Sequence, residues 1–172
     1  MRALIPCFLI LSACLPINPV TAIRLATTNP LEADPGDFAV QVTLPDGIGV
    51  TPGTAELALS VETPDGPGID ATYPLTQDSS GAWRLQGDAL DRMRADQVTA
   101  MRLEDADPDG TSGSFGAGFT PCTHGAGPDA DARTSISLQI TSGGDFLPLL
   151  NDAMIHELYP ADLVSALQPC RS

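Results

Sequence analysis

Three carboxylates alternate in Asp105-Ala106-Asp107-Pro108-Asp109-Gly110, and a glycine closes the run. Side-chain oxygens one, three and five residues along a loop can wrap a hard cation such as calcium, and glycine permits the sharp turn that follows. The run stops short of a full loop. Its ninth position is Gly113, which has no side chain, and its twelfth is Gly116, where a bidentate carboxylate is needed. Glu104, Asp129 or Asp131 would have to complete the shell, and calcium affinity would be weak, about millimolar. The residue types favour a plainer reading, a solvated acidic turn leaving a strand. No other cofactor is implied.

Cys7 and Cys14 lie in an apolar N-terminus, which leaves Cys122 and Cys170. In an oxidising compartment such a pair in a small domain reads as a disulfide, tying the C-terminus to a Gly-rich loop. A metal or redox site at Cys122 and His124 is the weak alternative, since a lone Cys-x-His lacks a second ligand pair. His156 sits in an apolar C-terminal segment and reads as structural. Serine, histidine and acids are all present, but there is no Gly-x-Ser-x-Gly elbow; Gly113-Ser114-Phe115-Gly116 has the wrong spacing. HExxH, CxxC and a Gly-rich phosphate loop are also missing. No catalytic residue is assigned.

The elements that would position these residues are mostly strands. Phe38, Val40, Val42 and Leu44 share one face at period two, and Pro45-Asp46-Gly47 turns the chain. Leu57, Leu59 and Val61 repeat the pattern, with a turn at Pro64 to Gly68. Ala71 to Leu75 and Ala82 to Leu85 flank a hairpin loop at Gln77 to Gly81, with Trp83, the only tryptophan, in a core or half-buried packing role. Ile23 to Thr27 reads as a first strand, stopped by Asn29-Pro30. Asp88 to Ala95 has helical spacing for one or two turns, and Gln97 to Leu103 reads as a strand. Asp105 to Asp131 is acidic, Gly-rich and without period, the least ordered-looking stretch. Thr134 to Ile140 alternates, and Phe146 to Leu150 reads as its hairpin partner. Asn151 and Asp152 can cap a short helix carrying Met154, Ile155 and Leu158, and a second helical segment runs from Pro160 to Pro169. The whole predicts an antiparallel β-sandwich of the immunoglobulin-like class, with one or two short helices near the C-terminus.

Composition limits the partners. The chain has 172 residues, 8 basic (all Arg) and 22 acidic, for a formal net charge of −14. That surface repels phosphate backbones, so nucleic acid is excluded as a partner. It also opposes flat adsorption to anionic lipid, so a tethered domain would stand off its membrane. Solubility is the simplest reason for such a charge.

Arg2 precedes an apolar run, Ala3 to Ala13, which is too short to cross a bilayer, since a spanning helix needs roughly 20 apolar residues. It ends in Leu11-Ser12-Ala13-Cys14. This tetrapeptide resembles the lipobox of bacterial lipoproteins; the resemblance covers residues 1–14 and does not extend to the domain. It implies cleavage before Cys14 and acylation of that residue, with Leu15 favouring the outer membrane under the enteric sorting rule. The chain then divides into a signal peptide (1–13), a lipidated Cys14 with a Pro-containing tether (14–22) and one β-rich domain (23–172). Val20-Thr21-Ala22 offers a competing small-x-small cut that would release a soluble periplasmic or secreted protein. The Asp105 to Gly110 run likewise resembles the first half of EF-hand and extracellular calcium loops, without their bidentate glutamate. The expectation is an envelope lipoprotein facing the periplasm, whose non-enzymatic domain binds an envelope protein or wall component or is structural. A weak calcium-dependent adhesion module is the alternative, and an envelope hydrolase the third reading.

Overall fold

The computed structural model describes residues 31–64, 66–158, 164 and 166–171. The leader, Cys14, the tether, the expected strand Ile23 to Thr27 and most of the segment after Pro160 lie outside the described residues.

Among the described residues nine strands form: β1 (Ala39–Thr43), β2 (Ile48–Val50), β3 (Glu56–Thr63), β4 (Gly66–Gln77), β5 (Trp83–Leu85), β6 (Ser112–Gly118), β7 (Pro121–Thr123), β8 (Arg133–Gln139) and β9 (Leu147–Met154). Seven make one antiparallel sheet in the order β6-β3-β4-β5-β1-β8-β9. β4 is the strand on which the sheet curls. Its first part pairs with β3 as far as Pro74, the Leu75 amide still donates to the Ala55 carbonyl at 2.8 Å, and Leu75 to Gln77 pair with β5. The curl brings β3 and β6 over β1 and β8 in a sandwich-like arrangement. Phe115 of β6 meets Phe38, just before β1, edge to face at 5.5 Å between ring centroids. Such a contact adds about 1 kcal/mol to the burial of the two rings.

The alternating positions of β1 and β3 supply the core, as their period requires. Phe38, Val40, Leu57, Leu59 and Val61 are all buried and belong to one cluster with Tyr73, Leu75, Met93, Leu138 and Ile140. Trp83 is half-buried against it.

Between β5 and β6 the expectation of a short helix followed by a strand is corrected. A single helix, α1 (Gly87–Ala106), covers both segments. No proline interrupts it after its start, and Ala89, Met93, Gln97 and Ala100 form its buried stripe. Gln97 hides the helical period because it is polar; its amide donates to the carbonyl of Ala33 at 3.1 Å. The helix lies antiparallel along β4, with Leu103 near Gly68 and Asp96 bonded to Tyr73. A second helix, α2 (Ile155–Leu158), is the short one near the C-terminus. Asn151, Asp152 and Met154, expected to open and line it, extend β9 instead.

The stretch from Asp105 to Asp131, expected to be irregular, contains β6 and β7. β6 is built of Gly, Ser and Ala around Phe115, which have little strand preference of their own. Seven register pairs with β3 hold it in place. β2 and β7 form a second, two-stranded sheet. Gly47 leads into it with φ +83°, and a Cβ there would run into the backbone carbonyl of Gly127.

The β4–β5 hairpin is closed by Asp78, whose carboxylate accepts from the Ser80 hydroxyl, the Ser80 and Ala82 amides and Arg84 Nε. The Ser80 hydroxyl and the Arg84 guanidinium hold its carboxyl well below the usual carboxylate range. A lowered pKa in the fold contributes stability above the ordinary carboxylate value, about 4, and that contribution is lost as pH falls through the folded value. Asp78→Asn is therefore expected to destabilise the protein at pH 7 and to flatten its loss of stability toward acid. Urea unfolding at pH 7 and pH 3 checks this; an unchanged acid slope would remove Asp78 from the explanation.

Candidate binding cavity

β3 turns Leu57, Leu59 and Val61 inward, and the register with β6 sets Ala117, Phe115 and Gly113 opposite them. In a closed sandwich all three opposing positions would carry large apolar groups. Here only the central one does. A Cβ on Gly113 would meet nothing nearer than the Ser60 carbonyl at 3.8 Å. The missing side chains leave a cavity of about 540 Å³ between β3 and β6 on one side and Leu138 of β8 and Leu149 of β9 on the other. Met93 and Ala100 of α1 also line it, and it is open to solvent at Glu104, Gly113, Ser114, Gly116 and Ala117, which are exposed. Its size lies within the range of small-molecule sites, about 300–1,000 Å³, which are typically apolar with few polar groups.

Among the described residues the lining carries one carboxylate, Glu104, and the hydroxyls of Thr111 and Ser114, with no imidazole. Both histidines lie elsewhere: His124 follows β7 and His156, read as structural from the sequence, stands exposed on α2. The arrangement offers shape and apolar contact rather than a nucleophile with its base.

The residues singled out in the sequence have other places. Asp105 is in the last turn of α1 and Asp107 is just beyond it. Asp107 Oδ1 accepts the Gly110 amide at 3.0 Å, its carbonyl accepts the Thr111 amide, and the Thr111 hydroxyl bonds the Leu103 carbonyl. The acidic run thus closes a helix, not a strand, and one of its carboxylates serves that turn. Among the described residues no three His, Cys, Asp or Glu side chains gather where they could hold a metal, so Asp105, Asp107 and Asp109 are not brought together as ligands. Cys122 and Cys170 are joined in a disulfide, with Cα atoms 4.9 Å apart. Cys122 is therefore no free ligand to pair with His124. Gly49 stands opposite Cys122 in the ladder, and a Cβ there would lie 2.9 Å from the Cys170 sulfur.

From the sequence, Glu104 reads as a spare cation ligand, and Gly113 and Ala117 lie in a stretch without period. The signal available for them was the alternation small, Phe, small at Gly113, Phe115 and Ala117. No protein-family model, curated protein or solved structure matches this chain. Among the described residues no helix is long and apolar enough to cross a membrane.

Proposed function

We propose that the protein is an exported lipoprotein, anchored through an acylated Cys14, whose domain binds a small apolar ligand without transforming it. The observation that carries the binding role is the cavity between β3, β6, β8 and β9, walled by Leu57, Leu59, Val61, Met93, Leu138 and Leu149. The export supports are Leu11-Ser12-Ala13-Cys14 behind Arg2 and the Cys122–Cys170 bond, a linkage that persists in oxidising compartments. The strong negative charge keeps the domain off anionic lipid, so the bilayer is a partner only through the anchor.

Two measurements test this. Growth with a radiolabelled fatty acid is expected to label the native protein in the membrane fraction, and Cys14→Ala is expected to abolish both the label and the sedimentation. A mature, unlabelled chain beginning at Ile23 would overturn the anchor. For the cavity, a neutral environment-sensitive dye such as N-phenyl-1-naphthylamine is expected to brighten on the native domain and not on Ala117→Phe or Gly113→Val, which fill the void. Equal brightening on all three would place the dye elsewhere and remove the binding role.

A further inference from the structure

The charge around the cavity mouth selects the ligand's polar end. We infer that the cavity takes a cationic amphiphile, an aliphatic chain ending in an amine, with Glu104 receiving the ammonium group. This rests on the binding role proposed above.

Among the described residues, Glu104 is the one charged residue of the lining. It is exposed at the mouth and takes part in no salt bridge among the described residues. It lies in the last turn of α1, the negative end of the helix dipole, where a cation is favoured. Instead of a cation the chain places more acid there: Asp105, Asp107 and Asp109 follow, and the last turn of α1 has no basic residue. An acidic helix end alone would say nothing about a ligand. Here it borders an apolar cavity large enough for one, and the two together define an amphiphile with its head outside and its tail within. An anionic head would meet like charge from Glu104, the helix end and a chain of net charge −14. A neutral hydroxyl head can donate a hydrogen bond to the carboxylate but brings no opposite charge.

The magnitudes follow from the two halves. Each methylene that reaches the apolar walls is expected to tighten binding about fourfold. The ammonium–carboxylate pair at an exposed mouth is worth up to about fivefold over an alcohol at low salt. That preference shrinks as salt rises, because the pair is open to screening.

The test uses the mature chain, residues 14–172, with Cys14→Ser so that no acyl chain competes. Decylamine, decanol and decanoate displace the naphthylamine dye at pH 7, below their aggregation concentrations. The expected order is amine, then alcohol, then acid, with the amine's lead reduced at 0.5 M salt, an ionic strength chosen well beyond physiological screening. Glu104→Gln is expected to bring amine and alcohol together in their displacement of the dye. Equal displacement by amine and alcohol on the native chain would overturn the head-group assignment and leave the binding role standing. Dye uptake that no amphiphile reverses would mean another occupant, such as a protein segment, and overturn the inference. Failure of the dye to bind at all would overturn the binding role itself.

Discussion

Replacing Cys122 and Cys170 together by alanine is expected to lower the unfolding free energy by about 4 kcal/mol. The two cysteines are 48 residues apart, and cross-linking a loop of that length removes about this much chain entropy from the unfolded state. Against a total of about 5–15 kcal/mol for an ordinary domain, the loss is large. Alanine is the substitution of choice because Cys122 is 2% exposed, and serine would bury a hydroxyl. Among the described residues, backbone bonds to β7 also hold the C-terminal stretch. Thr123 donates to the Gln168 carbonyl and accepts from the Cys170 amide, both at 2.9 Å, around a single bridge to Pro169. Urea unfolding of the native and Ala/Ala chains, and of the native chain with reductant, would measure the difference. Reductant should reproduce the double substitution. A loss below about 1 kcal/mol would mean that the cross-link scarcely restricts the unfolded chain, and the entropic argument would fail for this bond.

The strands with period-two alternation were legible because their faces differ so sharply. Val40 and Val42 in β1, and Leu57, Leu59 and Val61 in β3, could be placed without any partner in view. The disulfide was legible for a simpler reason: only two cysteines stand outside the N-terminal apolar run. The second half of α1 was not. Val98 and Thr99 are β-branched, and the buried stripe passes through Gln97, so local preference argued for a strand. Packing along β4 decided the matter. β6 was invisible for the opposite reason. Its residues prefer no regular structure, and it exists because β3 offers it a complete ladder. The cavity depends on that pairing. Gly113 and Ala117 become wall positions only when the register sets them opposite Val61 and Leu57, and register is a property of two strands that neither segment states alone.

Tyr73 should show how firmly α1 is held to the sheet. Its ring is fully buried on β4, directly across from Leu57, and it is among the largest buried side chains. Tyr73→Ala is expected to cost about 3–5 kcal/mol, the range for deleting a large buried aromatic. Tyr73→Phe is expected to cost only about 1 kcal/mol, for it keeps the ring and loses the hydroxyl's bond to Asp96 Oδ2 at 2.7 Å. Asp96 is half-exposed on α1 and can turn to water, so no unpaired buried charge is left behind. Arg92 adds a contact over the same ring at 5.5 Å from its centroid and donates to the Thr72 carbonyl at 3.1 Å. These ties join the middle of α1 to the middle of β4. The pH dependence separates the hydroxyl from the ring. Burial pushes the Tyr73 hydroxyl well above its ordinary value, and the hydrogen bond to Asp96 pushes it further, against a smaller opposing pull from Arg92. A raised pKa in the fold means that the folded protein keeps a proton the unfolded chain releases. Stability from this group is therefore complete below about pH 10, the ordinary tyrosine value, and is lost progressively as pH rises toward the folded value. Urea unfolding at pH 7 and pH 10.5 is expected to show a loss in the native protein that Tyr73→Phe lessens. Equal losses would mean that the hydroxyl titrates in the fold as it does in water, and Tyr73 would then anchor α1 through its ring alone.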